Sequence, residues 1–185
     1  MARSSPLASF QQALLAEARA LTPGPPPPPW TAAPHVVAGG ILAGGWTSDG
    51  HIVLISSAGY SVIDPTTGAR VIRNRDPETT FAAFAPDPLT FVEPETGEHV
   101  RVFGVWGGDG VHVTSDGWEL EVIYPWWPEV DVLLRPPRGP GMHGFLEGAY
   151  LLDGLVGVTW RGCGFAPSGD CFMLLASDGP IVYLR

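Results

Sequence analysis

Asp-Gly pairs occur at five places in the sequence. The segments between them contain short runs rich in Val, Ile, Leu, Phe, Tyr and Trp. Asp-Gly is favoured in two-residue hairpin turns because both central positions can take a positive φ. Strand-like runs with turn signals every 8 to 12 residues or so are typical of all-β proteins. The pattern predicts an all-β, antiparallel fold made of hairpins. The pairs are Asp49-Gly50, Asp109-Gly110, Asp116-Gly117, Asp153-Gly154 and Asp178-Gly179.

Two families of internal repeat support the hairpin prediction. Segments 62–72 and 91–101 share an apolar pair, an acid-Pro start, a Thr-Gly turn and a returning valine. Segments 47–55, 114–122 and 176–184 share the sequence x-Ser-Asp-Gly before an apolar run, at separations of 67 and 62 residues. We expect each copy to be a tight hairpin or the turn of one.

Segments 47–72 and 160–184 resemble blade hairpins of β-propellers in the WD40 and quinoprotein-like sense. The resemblance implies partial, propeller-like blades. Blades repeat at about 40 to 50 residues and at least four close a ring, so a complete propeller does not fit. Open blades would expose apolar sheet faces and edges to water, so a two-layer sandwich or open barrel is the preferred expectation.

The first 35 residues have a different composition from the rest. Ser5-Pro6 is a favourable helix start, and Leu7, Phe10, Leu14, Ala18 and Leu21 form one apolar helical stripe. We predict an N-terminal amphipathic α-helix in residues 1–22. A Pro-rich linker follows in residues 23–35, a stiff spacer that carries the helix over one face of the all-β domain, residues 36–185.

Residue inventory excludes several function classes. All ten basic residues are Arg, against nineteen acidic residues, which gives a net charge of −9. Without Lys there is no Schiff base or P-loop lysine, so pyridoxal-phosphate enzymes, P-loop NTPases and ordinary kinases are excluded. The acidic field repels nucleic acid and anionic membranes. We therefore expect no nucleic-acid or membrane partner.

Compartment is inferred from the N-terminus and the cysteines. Residues 1–21 lack the uninterrupted apolar stretch of a signal peptide, and no run of about 18 apolar residues could span a bilayer. We expect a cytoplasmic protein. The absence of Lys suggests a codon bias toward GC-rich triplets, and this bias suggests a bacterial protein. Cys163 and Cys171 flank a turn at 166–169 and are interpreted as buried thiols, with a disulfide as the alternative.

Motifs for catalysis, metals and cofactors are weak. No His pair has metal-ligand spacing and no Cys-x-x-Cys occurs, so we predict no metal site. Segment 139–144 matches Gly-x-Gly-x-x-Gly, but it lies in a Pro-rich loop of an all-β chain, so no nucleotide cofactor is expected. Glu119 with Glu121, and Glu129 with Asp131, alternate with apolar residues and are interpreted as the solvated face of strands.

The segment 124–144 is the candidate binding site. Trp126 and Trp127 are adjacent between two prolines, and neighbours in an extended chain point to opposite sides, so we expect one Trp in the core and one facing outward. A rigid loop with Arg and Trp suits protein recognition because little entropy is lost on binding. The candidate binding residues are Tyr124, Trp126, Trp127, Arg135, Arg138 and His143.

Three functions are compatible with the sequence. The favoured hypothesis is a non-catalytic, cytoplasmic protein-binding module, in its concrete form an inhibitor or immunity protein that neutralises a cognate toxin. The second is a hydrolase of unrecognised type that uses Glu119, Glu121, His99 and His112. The third is a glycan- or small-ligand-binding β domain that uses Trp126 or Trp127 as a stacking platform.

Overall fold

The computed structural model describes residues 7–108, 110–139, 144–153 and 158–185. Thirteen strands and two helices are found in these ranges, and every strand pair is antiparallel. The predicted all-β, antiparallel class with one N-terminal helix is confirmed. The elements are α1 (Ser9–Ala20), β1 (Thr31–Ala32), β2 (Ile41–Trp46), β3 (Ile52–Ser56), β4 (Gly59–Ile63), β5 (Arg70–Asn74), α2 (Pro77–Ala82), β6 (Thr90–Val92), β7 (His99–Gly104), β8 (Glu119–Ile123), β9 (Asp131–Arg135), β10 (Tyr150–Leu151), β11 (Trp160–Phe165), β12 (Cys171–Ala176) and β13 (Gly179–Leu184).

The strands form three sheets that pack face to face. The half-barrel sheet has the order β5-β4-β3-β2-β7-β6, the central sheet β1-β13-β12-β11, and the outer sheet β10-β9-β8. All six residues of β12 are buried because a sheet covers each of its faces. Met173 and the residues two positions before and after it face the half-barrel sheet, whereas Phe172 and Leu174 face the outer sheet. The expected two-layer sandwich therefore has a third sheet, and α1 covers the far face of the outer sheet.

The half-barrel sheet curls until its ends meet. Tyr60 of β4 and Glu93, which follows β6, are separated by three strands in the sheet order, yet the Tyr60 hydroxyl donates to Glu93 Oε1 at 2.6 Å. The rings of Tyr60 and Phe91 are 5.2 Å apart, edge to face. Val53, Val100 and other apolar side chains fill the concave interior. The concave face of this sheet is thus filled by the sheet's own side chains.

The two acid-Pro-x-Thr-Gly segments form hairpins at opposite edges of the half-barrel sheet, as predicted. In both, the glycine N–H donates to the acidic residue's carbonyl, Gly68 to Asp64 and Gly97 to Glu93, each at 2.8 Å. Both glycines have positive φ, 71° and 75°, which a residue with a Cβ rarely adopts. The acidic side chain accepts hydrogen bonds from the turn in both copies.

The Thr-Ser-Asp-Gly turns use a different geometry from the predicted one. Among the described residues no non-glycine residue has positive φ, so Asp49 and Asp116 do not take the conformation expected for a two-residue Asp-Gly hairpin. Instead, the buried hydroxyls of Thr47 and Thr114 accept the N–H of His51 and Trp118, at 2.9 and 2.8 Å. The threonine side chain therefore closes the turn. The prediction from the Asp-Gly pairs did not include it.

The N-terminal segment is integrated into the body. α1 begins at Ser9, and the predicted start, Ser5-Pro6, lies outside the described residues. The stretch between helix and domain contributes β1 to the central sheet and buries Trp30 to 3% exposure against Phe172, whose ring lies 4.9 Å away. α1 covers the outer sheet with Leu14, Ala18 and Leu21.

The two cysteines are buried, on opposite faces of the central sheet, and they are not joined to each other. Cys163 of β11 is opposite Leu174, whereas Cys171 of β12 is opposite Leu184, so the turn between them does not bring the thiols together. Burial raises the pKa of the Cys171 thiol, with a further contribution from the charge of Asp170. The interpretation as core residues is confirmed and the disulfide alternative is wrong.

Candidate functional site

An open apolar groove lies between α1 and the loop that joins β8 to β9. Its volume is about 640 Å³, within the size range of ligand-binding clefts. The two sides of the groove come from chain segments more than 100 residues apart. It is lined by Leu7, Gln11, Leu14, Leu15, Ala18, Arg19, Ile123, Tyr124, Pro125, Trp126, Trp127, Phe145 and Leu146.

The aromatic loop presents both tryptophans to solvent. Residues 125–128 form a turn and not an extended segment, so the two side chains do not alternate between core and solvent. Trp126 is 48% exposed and Trp127 77% exposed, and the expectation that one of them fills the core is wrong. The ring of Tyr124 lies 5.6 Å from that of Trp127. Three predicted binding residues thus line one surface.

Arg19 fixes this loop to the helix. Its Nε donates to the carbonyl oxygen of Pro125 at 2.9 Å, and its guanidinium carbon lies 4.6 Å from the centre of the Trp126 ring. A cation over an indole face and a hydrogen bond from the same side chain hold the loop in one position. The groove is therefore preorganised at its junction with α1.

Arg135, a predicted binding residue, does not line the groove but contacts Phe145, which does. Its Nη2 is 3.0 Å from Glu119 and 2.7 Å from Glu121, and its side chain is only 12% exposed. Nη1 donates to the carbonyl of Phe145 at 3.2 Å, and the guanidinium carbon lies 4.9 Å from the Phe145 ring centre. Arg135 thus positions Phe145 in the groove.

The remaining predicted binding residues lie elsewhere. Arg138 is exposed beyond the end of β9 and does not line the groove. His143 lies outside the described residues. Of the six candidate residues, the structure brings Tyr124, Trp126 and Trp127 together in the groove, and connects Arg135 to it through Phe145.

Asp131 is the cross-strand neighbour of a residue that lines the groove. Asp131 lies opposite Ile123 in the β8–β9 register, on the same face of the outer sheet. Its Oδ2 is buried and accepts no hydrogen bond from the described residues. Burial, with the negative charge of Glu129, raises the pKa of Asp131. This residue was expected on a solvated face, but it is half-buried beside α1.

The residues of the hydrolase hypothesis are not gathered into one site. Glu119 and Glu121 alternate with buried Leu120 and are partly exposed, and both are paired with Arg135. His99 begins β7 in the half-barrel sheet. His112 Nε2 lies 3.7 Å from Cys163 Sγ, on the side of the outer sheet that faces away from α1.

Sequence reasoning assigned no residue of α1 to the site, and it missed Arg19 and Phe145 among the residues that line the groove. The apolar helix stripe already contained Leu7 and Leu14, but it was interpreted as covering the sheet only. No sequence signal could pair Arg19 with Pro125, because the contact joins residues 106 positions apart.

Comparison with known proteins gives no relative from which a function could be transferred. No protein-family model matches the chain, and searches of curated proteins and of solved structures found no match. Within the described ranges, no three His, Cys, Asp or Glu side chains are grouped to hold a metal ion, and no helix is both long and apolar enough to cross a membrane.

Proposed function

We propose that the protein is a non-catalytic binding module whose groove, between α1 and the loop 124–127, holds an apolar segment of a partner protein. The observation that carries the proposal is the exposure of Tyr124, Trp126 and Trp127 on one preorganised surface. Exposed Trp and Tyr are the side chains that most often dominate protein interfaces. A loop already fixed by Arg19 loses little entropy when a partner binds.

Charge defines the chemistry of the partner. The chain carries a net charge of −9, and the groove residue Ile123 has as its cross-strand neighbour Asp131, whose Oδ2 accepts no hydrogen bond from the described residues. A cationic side chain placed beside Asp131 would relieve the cost of burying its charge. The proposed occupant is therefore a segment with apolar side chains for the groove and Arg or Lys at its flanks.

The concrete form of this proposal is a bacterial, cytoplasmic inhibitor or immunity protein for a toxin. Toxins that act on nucleic acids present basic surfaces, and an acidic inhibitor associates with them rapidly through electrostatic steering. The support is the acidic charge, the small size and the apolar groove.

The test is a selection of displayed peptides of about 15 residues, four turns if helical, with the full chain as bait. We expect enriched peptides that combine apolar residues with Arg or Lys flanks. Synthetic versions should bind Trp127→Ala at least tenfold more weakly, and Trp106→Ala as tightly as the unmodified chain. Trp106 is a matched control because it is 40% exposed at the half-barrel end.

Two results would overturn the proposal. One is enrichment of peptides whose affinity is the same for Trp127→Ala and the unmodified chain. The other is the absence of peptide binding together with quenching of tryptophan fluorescence by a glycan, lost in Trp127→Ala, which would establish the stacking platform for a sugar instead.

A further inference from the structure

A second, smaller cavity lies at the opposite end of the molecule, under the edge strand β5. Its volume is about 220 Å³, and it is bordered by the backbone of residues 37–39 and by side chains of β4 and β5. Unlike the groove, it is lined by two guanidinium groups and two hydroxyls. The polar side chains are Ser56, Ser61, Arg70 and Arg73.

A β-bulge places both arginines on the same face. Positions three apart on a regular strand point to opposite sides of the sheet. The register of β5 shifts between Val62 and Ile63 of β4, so Ser61 is opposite Arg73 while Ile63 is opposite Arg70. Val71 is the extra residue of this bulge, and Arg70 and Arg73 consequently both border the cavity.

The two guanidinium groups are held by neutral acceptors. Arg73 Nη1 donates to the Oγ of buried Ser61 at 2.8 Å, and Arg70 Nη2 donates to the carbonyl oxygen of Val37. Within the described residues no carboxylate lies within 4.0 Å of either side chain. Burial lowers the pKa of Arg73, and the positive charges of Arg70 and Arg75 lower it further.

This concentration of positive charge is specific to one copy of the repeat. In the other acid-Pro-x-Thr-Gly hairpin, His99 and Val102 occupy the positions of Arg70 and Arg73. An acidic protein that gathers three of its ten arginines in six residues, without partner carboxylates among the described residues, has a local field opposite to its overall one. Guanidinium groups bind phosphate through several hydrogen bonds at once.

We propose that the cavity formed by Arg70, Arg73 and Ser61 binds a phosphate group. The remaining N–H groups of the two arginines would donate to its oxygens. Ser61 already accepts from Arg73, so its own O–H is left to donate. The phosphate is either free in solution or carried by a phosphorylated side chain.

The experiment follows the Arg Nε–H resonances of the full chain by NMR during titration with inorganic phosphate, at constant ionic strength set by sodium chloride. We expect saturable shifts of the Arg70 and Arg73 resonances, with the other arginines unaffected. Arg73→Gln and Arg70→Gln should each weaken phosphate binding at least tenfold. Arg101→Gln is the control, since Arg101 is an exposed arginine on β7 that does not border the cavity.

A second titration with a phosphoserine peptide and its unphosphorylated form identifies the source. Tighter binding of the phosphopeptide than of inorganic phosphate, still lost in Arg73→Gln, assigns the site to a modified protein, and equal affinities assign it to free phosphate. Shifts that sodium chloride reproduces, or phosphate affinity retained in both Arg variants, would overturn the proposal. Because neither variant touches the groove, peptide binding at Trp127 remains an independent measurement.

Discussion

Inside the half-barrel sheet, Tyr60, Phe91 and Glu93 are buried against one another, whereas at the α1 end Tyr124, Trp126 and Trp127 are exposed to solvent. Glu93 is 1% exposed and accepts a hydrogen bond from Tyr60. Asp131, at the other end, is half-buried, and its Oδ2 accepts no hydrogen bond from the described residues. The contrast teaches that the interior of the half-barrel sheet is built for stability, whereas the surface beside α1 leaves aromatic side chains and an unsatisfied carboxylate oxygen suited to binding a protein segment.

The largest effect is expected from removal of Glu93. Its carboxylate accepts hydrogen bonds from Tyr60 Oη at 2.6 Å and from Thr96 N and Oγ1, each at 2.8 Å. Glu93→Ala leaves the buried Tyr60 hydroxyl without its acceptor and removes the acceptor of the Thr96 turn, so it should reduce the free energy of unfolding by about 3 to 5 kcal/mol. Urea unfolding at pH 7 measures this loss. Asp64→Ala, at the equivalent and more exposed position, should lose clearly less, and equal losses would refute the contrast between the ends.

The next effect concerns pH. Burial alone would raise the pKa of Glu93, but the hydrogen bonds from Tyr60, Glu95 and Thr96 outweigh it and lower the pKa below its usual value. A lowered pKa adds stability above the unfolded value of about 4.3, and this stability is lost as pH falls through the folded pKa. Glu93→Gln should therefore be less stable than the unmodified chain by about 1.5 to 3 kcal/mol at pH 7.

The stability difference between Glu93→Gln and the unmodified chain should narrow as pH falls from the unfolded value of about 4.3 through the lowered folded pKa of Glu93, below which the carboxyl is protonated in both states. Chemical denaturation at a series of pH values from neutral to acidic measures the gap. A gap that stays constant over this range would show that the charge of Glu93 does not contribute.

A smaller effect is expected where the groove meets the helix. Arg19→Ala removes the hydrogen bond to Pro125 and the cation over Trp126, so it should cost about 1 kcal/mol of stability. Affinity for a selected peptide should fall about fivefold, which corresponds to a similar free energy. Calorimetric titration measures the affinity. Arg138→Ala, an exposed arginine outside the groove, should change neither quantity, and a comparable loss there would contradict the role given to Arg19.

The smallest change in stability is expected from the substitution of Asp131, and it should be a stabilisation. The pKa of Asp131 is raised by burial and by Glu129, so its charged form opposes folding at neutral pH. Asp131→Asn should stabilise the protein by about 0.5 kcal/mol after allowance for solvent screening. The same substitution should lower the affinity for peptides with Arg flanks. Thermal unfolding and peptide titration measure the two effects. A destabilised variant with unchanged peptide affinity would show that Asp131 is structural.

Local patterns predicted the elements of the fold better than their arrangement. The Thr-Gly and Ser-Asp-Gly repeats located hairpins correctly, because the turn hydrogen bonds join residues a few positions apart. The third sheet and the contact between Tyr60 and Glu93 depend on curvature and stacking, which no local sequence signal encodes.

The site was predicted in part. The aromatic pair between prolines predicted one outward Trp, whereas both Trp126 and Trp127 are exposed because residues 125–128 form a turn. Arg135 was expected to face a partner, but its cross-strand neighbour is Glu119, and a strand pairing that places opposite charges together is invisible before the register is known. Arg19 and Phe145 reach the groove only through tertiary packing.

The most direct test of the binding groove uses the indole N–H resonances of the seven tryptophans. A peptide selected for binding is added to the isotope-labelled full chain, with Trp126→Phe and Trp127→Phe to assign the two groove resonances. The account predicts that the resonances of Trp126 and Trp127 shift and saturate, while that of Trp106 at the half-barrel end stays in place. Saturable shifts at Trp106 with Trp126 and Trp127 unchanged would contradict it.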